Sequence, residues 1–243
     1  MISSGEEYVD SLRGRKLNVY LFGELIQDPV EHPIIKPSIN ALAKTYDLAN
    51  ENPDLATAVS PYTNERINRF LHIVESEKDL ILQNKMQRKL GQLTGTCFQR
   101  CVGMDAINSL HSVTFDIDQA HNTNYHKKFL SFLTSVQKQG LVIGGAMTDV
   151  KGDRSLLPHQ QEDPDLFVHV VDRSDDGVFI TGAKAHQTGV INSHWMIVMP
   201  TLRLTEDDKE YAIVGAIPVD AKGITYIYGR QSGDTRHMDN TPI

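Results

Sequence analysis

Apolar residues recur at three- and four-residue intervals through most of the first 140 positions, then give way to short β-favouring runs. Ile39, Leu42, Ala43, Tyr46 and Ala49 share one helical face behind Pro33, Pro37 and a candidate cap at Ser38. Ser4-Gly5-Glu6-Glu7 has capping-box form and Gly14 is a stop signal, so a short first helix is predicted. Ser76 to Asp79 opens another helix through Leu80, Leu82, Met86 and Leu90. Further helices are predicted over about 96–119 and 125–139, the last closed by Gly140. Beyond it, the runs 166–171 and 178–181 flank Asp175-Asp176-Gly177, a hairpin signal. More strands are predicted at 196–199, 211–214 and, after the turn Ala221-Lys222-Gly223, at 224–228. The pattern predicts an α+β protein, with a helical domain over 1–140 and a β domain over 141–243.

Composition narrows the function. The 243 residues are 40% hydrophobic and 23% charged, which excludes a disordered or fibrous chain. A net charge of −7 argues against nucleic acid or an anionic membrane as partner, since both need a positive field. No apolar run approaches the roughly 18 residues of a membrane span, and the acidic start lacks signal-peptide form, so a cytoplasmic location is expected. Two Cys make no disulfide framework. Gly-x-Ser-x-Gly, His-Glu-x-x-His, EF-hand, Walker and G-x-G-x-x-G patterns are all missing, which removes support for the corresponding hydrolase, metal and nucleotide-loop readings.

Four segments could carry chemistry. Cys97-Phe98-Gln99-Arg100-Cys101 places two Cys at i and i+4 of the predicted helix, where their sulfurs share a face and could hold one metal or cluster. A complete iron–sulfur site normally needs four ligands, and two small buried apolar residues are the plainer alternative. The segment 144–154, GGAMTDVKGDR, offers glycines, a hydroxyl and charges of both signs at the helix-to-strand boundary, as a linker or a binding loop. Next comes 182–189, GAKAHQTG, where His, Gln and Thr follow a strand between glycines, suiting either the polar edge of a heterocycle or an ordinary hairpin end. Finally, the strand ending at Tyr228 runs into Arg230, which could meet a phosphate or only water.

Together these segments resemble the 4-hydroxyphenylacetate 3-hydroxylase flavoprotein family, and within it the branch of 4-hydroxybutyryl-CoA dehydratases with vinylacetyl-CoA Δ-isomerase activity. The resemblance rests on MQRKLGQLTGTCFQRCVGMDA (86–106), TNYHKKF (123–129), GAMTDVKGDR (145–154), QEDPDLF (161–167), GAKAHQTGVINSH (182–194) and YGRQSGDTR (228–236). The Cys pair distinguishes that branch from the cluster-free hydroxylases. The resemblance implies an acyl-CoA-dehydrogenase-like fold, with a helical domain, a middle antiparallel β-barrel that is incomplete in this chain, and a C-terminal helical bundle that is absent from it. It also implies FAD, a [4Fe–4S] cluster and a homotetramer.

By position, Cys97 and Cys101 would ligate the cluster. FAD would meet Met147, Thr148, Asp149, Val150, Lys151, Gly152, Asp153 and Arg154, together with His186, Gln187 and Thr188. Gln99, Met147 and Thr188 would support catalysis. The remaining ligands, a His and a Cys, and a catalytic Glu with a Tyr and a Lys, are implied for the C-terminal bundle. The activity implied is dehydration of 4-hydroxybutyryl-CoA to crotonyl-CoA and isomerisation of vinylacetyl-CoA by a radical route, with a short-chain acyl-CoA as substrate and a second copy or a complementary chain as partner. A flavin-dependent hydroxylase of phenols is the alternative enzyme, and an inactive fragment or assembly subunit the alternative outside catalysis.

Overall fold

A computed structural model describes residues 1–175 and 177–229; Asp176 of the predicted hairpin turn, Arg230 and the rest of the YGRQSGDTR match lie outside the described residues. Helix α1 (Gly5–Ser11) is capped by Ser4, whose hydroxyl accepts from the Glu7 amide, while the Glu7 carboxylate reaches back to the Ser3 amide at 2.7 Å. Helix α2 (Lys36–Glu51) starts before Ser38, so Ser38 is not its cap; the hydroxyl instead donates to Ile35 O at 2.8 Å. After the short α3 (Pro53–Ala56), α4 (Glu77–Thr94) is capped by Ser76 and stopped by left-handed Gly95. Helix α6 (Tyr125–Gln139) ends as expected at left-handed Gly140. Between them α5 (Cys101–His121) begins five residues later than its periodicity predicts. Gln99, at φ 63, interrupts the helix, and Cys97 lies in the loop ahead of it.

The strands are short. β1 (Asn18–Leu21) lies between β2 (Glu24–Leu25), antiparallel, and β10 (Thr225–Tyr228), parallel. β3 (Thr57–Val59) pairs with β4 (Arg66–Asn68), and β6 (His169–Ser174) with β7 (Gly177–Thr181) around the expected hairpin. The third sheet runs β5–β8–β9, in which β8 (Trp195–Val198) is parallel to β5 (Ile143–Ala146) and antiparallel to β9 (Gly215–Pro218). A strand over 211–214 is not observed, because Tyr211 closes a 3-10 turn, Glu206–Tyr211, and pairing starts at Gly215. Nor is an antiparallel barrel found among the described residues. Closure needs an unbroken ring of paired strands, and these strands divide among four small sheets, two of which contain parallel pairs.

Elements from both sides of residue 140 share one core. Tyr8, Leu12, Val19, Leu42 and Tyr46 pack with Val142, Ala146, Val190, Met196 and Val219. Tyr8 Oη donates to Asn192 O at 2.6 Å, and Arg15 donates to Ser193 O at 2.6 Å and Ile191 O at 2.7 Å. At the other face of the β5 sheet, Gly103 lets the first turn of α5 lie against the backbone of β5.

His194 seals this junction in its neutral form. Its Nδ1 accepts from the Val142 amide at 2.9 Å, so the ring proton sits on Nε2, 2.9 Å from Ser11 Oγ. Burial pushes the imidazole down to about 3, with Arg15 and Arg100 opposing a second charge. The unfolded ring protonates near its ordinary value, so this stability is complete above about pH 6.5 and is lost as pH falls toward 3. Urea midpoints are therefore expected to drop below pH 6.5, by on the order of 4 kcal/mol in all at pH 3. His194→Gln should lose that part of the slope; an unchanged slope would assign the acid sensitivity elsewhere.

Candidate functional site

The Cys pair is assembled by a turn. Gln99 takes the left-handed conformation, and its amide N–H points at Cys97 Sγ, 3.4 Å away. This folds Cys97 over the start of α5, where it hydrogen-bonds to Cys101. That contact holds the Cys97 thiol down at about 6 and drives the Cys101 thiol upward, so the two share one proton. Cys97 is exposed and Cys101 half-buried. The residue between them points inward: Arg100 is buried between Tyr46 and Phe70, 4.9 Å from each ring centre, and donates to Thr45 Oγ1 at 3.0 Å.

Gln99 does not face an open site. Its side chain is buried, with Nε2 donating to Ser38 O at 2.7 Å and Oε1 accepting from Asn192 Nδ2 at 2.7 Å. Asn192 Nδ2 also donates to Ser38 Oγ at 2.9 Å, so α2, the Cys loop and the segment before β8 meet at one amide pair. Gly189 allows the approach: at φ +71 a Cβ there would lie 2.3 Å from Gln99 Oε1. The Cys loop is thereby fixed against the 182–194 segment.

That segment is pinned to the end of β5 by two further groups. Gln187 Oε1 accepts from the Met147 amide at 3.2 Å, and Nε2 donates to Thr148 O at 3.1 Å. Lys184 Nζ reaches Asp149 Oδ1 at 2.5 Å, Met199 O at 2.6 Å and Met147 O at 3.2 Å. Asp149 Oδ2 takes the Thr201 amide and hydroxyl, each at 2.8 Å. Both ion-pair side chains are buried, and the carboxylate accepts from three donors, one on Oδ1 and two on Oδ2. His186, at φ 57, and Thr188 stay exposed on the turn between these pins. Past Asp149 the chain turns outward, and residues 148–158 with Phe167 and 201–203 enclose a cleft of about 450 Å³.

The predicted residues thus fall into three adjoining groups. Cys97, Gln99 and Cys101 form the first; Met147, Thr148, Asp149, His186, Gln187 and Thr188 the second; Val150, Lys151, Gly152, Asp153 and Arg154 line the cleft. Sequence reasoning passed over Lys184, Asn192, Ser38, Thr201 and Arg203. Lys184 and Asn192 stand inside matched segments, but only their tertiary partners reveal their use. Among the described residues no group of three or more His, Cys, Asp or Glu is placed to hold a metal. The adjacent, accessible thiols fit two ligand positions of a cluster rather than a complete set.

With this geometry established, residues 4–243 match the family described as 4-hydroxyphenylacetate 3-hydroxylase N terminal. A 4-hydroxybutyryl-CoA dehydratase/vinylacetyl-CoA-Δ-isomerase of Clostridium aminobutyricum is 52% identical over 241 residues, covering 98% of this chain and 49% of the relative. The solved structure of an oxygen-tolerant archaeal 4-hydroxybutyryl-CoA dehydratase from N. maritimus matches with 68% identity and a TM-score of 0.93, over 95% of this chain and 46% of that one. The oxygenase component of 4-hydroxyphenylacetate 3-monooxygenase, solved in complex with FAD, shares the fold at 20% identity and a TM-score of 0.76, over 93% of this chain and 46% of its own. The chain spans about half the length of the curated relatives it matches. No helix among the described residues is long and apolar enough to cross a membrane.

Proposed function

Since this chain belongs to the 4-hydroxyphenylacetate 3-hydroxylase N-terminal family, we propose that it works within a dehydratase and isomerase of four-carbon acyl-CoA thioesters. The reaction is removal of water from 4-hydroxybutyryl-CoA to give crotonyl-CoA, with isomerisation of vinylacetyl-CoA at the same site. The observation that carries this reading is the Cys97–Cys101 pair, side by side and accessible, with Val102, the residue after Cys101, packed on Gly145 of β5. A phenol hydroxylase using flavin alone has no use for it. The acyl-CoA-dehydrogenase likeness, a homotetramer and a cytoplasmic location belong to the same proposal.

Cys97 and Cys101 would supply two thiolates to a [4Fe–4S] cluster whose other ligands come from outside the described residues. Met147 to Arg154 and the turn at His186, Gln187 and Thr188 would hold FAD. When bound, the flavin supplies reversible one-electron oxidation, and an open iron position a Lewis acid for the departing hydroxyl. Such help is needed because the hydrogen lost with the hydroxyl lies β to the thioester and is not acidic, whereas the α-hydrogen is. Gln99 keeps the Cys loop in place through Asn192 and Ser38, which makes it a positioning residue. Thr188 and the half-buried Met147 are left at the surface of the pinned turn, where a flat ring can meet them. Gln187 spends its side chain on holding that turn to Met147 and Thr148.

The test is anaerobic preparation of the protein with quantitation of iron, sulfide and flavin. Stoichiometric flavin with cluster iron is expected, and Cys97→Ser and Cys101→Ser should each lose most of the iron while flavin stays bound. Flavin without iron, combined with hydroxylation of a phenol, would replace this reading by the hydroxylase one. Loss of neither cofactor signal in the Cys variants would remove them as ligands.

A further inference from the structure

The sequence holds two cysteines, Cys97 and Cys101, and folding puts them in reach of each other and of solvent. Cys97 is exposed, Cys101 half-buried, and their side chains are hydrogen-bonded. The contact is held from behind. Left-handed Gln99, at φ 63, reverses the chain between them, and its amide lies 3.4 Å from Cys97 Sγ. Its side chain is anchored to Ser38 O and Asn192 Nδ2, each at 2.7 Å. Helix α2 and the segment before β8 thus fix the loop on its inner side, so the two sulfurs need not search for one another. Holding two reacting groups together in this way turns a bimolecular step into an intramolecular one.

We propose that, in a chain carrying no cluster, Cys97 and Cys101 close reversibly into a disulfide, with Cys97 taking the oxidant and Cys101 resolving it. With hydrogen peroxide as oxidant, the Cys97 sulfur attacks one peroxide oxygen; the O–O bond breaks, water leaves, and Cys97 becomes a sulfenic acid. The Cys101 sulfur then attacks the Cys97 sulfur. The S–O bond breaks, and the hydroxyl leaves with the Cys101 proton as a second water. Two thiols give up two electrons and two protons, and one peroxide takes them. The order follows from exposure, since the oxidant meets Cys97 first. With no third cysteine in the sequence, nothing within the chain can reshuffle the bond, and an added dithiol reverses it. The inference extends the cluster reading proposed above: the bond occupies both ligand positions, so iron enters only after reduction, and Cys97 is kept from the irreversible sulfinic step.

The test uses the full chain without iron and counts thiols by alkylation and mass spectrometry, before peroxide, after it, and after dithiothreitol. Both thiols are expected to disappear with the loss of two hydrogen atoms in mass, and both should return with dithiothreitol. Cys101→Ser should stop at a Cys97 sulfenic acid trapped by dimedone. Cys97→Ser should react at least about tenfold more slowly, as the less accessible thiol; circular dichroism checks that both variants are folded. Separate oxygen adducts on the two sulfurs, bonds between chains in place of one within a chain, or equal reactivity of the two variants overturns the proposal. A chain that closes the disulfide but takes up no iron keeps this inference and loses the cluster reading. One that takes up iron but forms no disulfide does the reverse.

Discussion

Asp149→Ala is expected to destabilise the protein by about 3–5 kcal/mol, the cost of leaving one member of a buried ion pair without its partner. Lys184 would keep two carbonyls, Met147 O and Met199 O, but these cannot neutralise an ammonium that is 9% exposed. Thr201 would lose both of its contacts to Asp149 at once. The reverse change, Lys184→Met, strands a buried carboxylate and should cost a similar amount. Asp149→Ala with Lys184→Met removes both charges, and much of the loss should return. Equilibrium urea unfolding of the three variants reads this directly. A cost below about 1 kcal/mol for Asp149→Ala would show the pair to be effectively solvated. The pair joins the ends of β5 and β8 to the His186–Thr188 turn, so Asp149→Ala should also loosen flavin binding.

Gly103→Ala is expected to cost about 3 kcal/mol or more, at the upper end of what overpacking does. An added Cβ would stand 2.0 Å from Ile143 O and 2.7 Å from Ile143 C, both backbone atoms that cannot rotate away. Helix α5 must then lift off β5, and Cys101, two residues before Gly103, moves with it. Thermal unfolding should show the stability loss, and iron binding should fall in the same variant. Gly91→Ala is the matched control: it lies in α4 with nothing within 4 Å of the added Cβ, and should stabilise by up to about 1 kcal/mol. Equal outcomes at the two positions would mean that the approach of α5 to β5 is not tight.

The chain's own pattern located its helices well, because capping and periodicity act over a few residues. Ser4, Ser76 and Gly140 do at the ends of α1, α4 and α6 what their side chains, or the lack of one, lead one to expect. The strands were harder to read. β5 reads Ile-Gly-Gly-Ala, which has little β propensity; it is a strand because β8 pairs with it, all four residues are buried, and Gly103 and Val102 press on it from α5. β1 was silent for a similar reason, since its parallel partner β10 lies more than 200 residues away in the chain. The segment 211–214 erred in the other direction. Its apolar residues suggested a strand, but Tyr211 stacks on His169 and donates to Pro164 O instead of entering a ladder.

The sequence by itself determined the family, the mixed helix and strand content, and the two cysteines with their neighbours, since composition, local period and motif order need no tertiary partner. Only the tertiary structure decided how those cysteines meet. Spacing put both on one helix, whereas Gln99 breaks the helix before it reaches Cys97 and holds a left-handed backbone through Asn192, 93 positions further on. A conformation that local propensity disfavours persists only where distant groups hold it, here Asn192, Ser38 and the space left by Gly189. The same holds for the Lys184–Asp149 pin: each is an ordinary polar residue in the sequence until folding sets its neighbours.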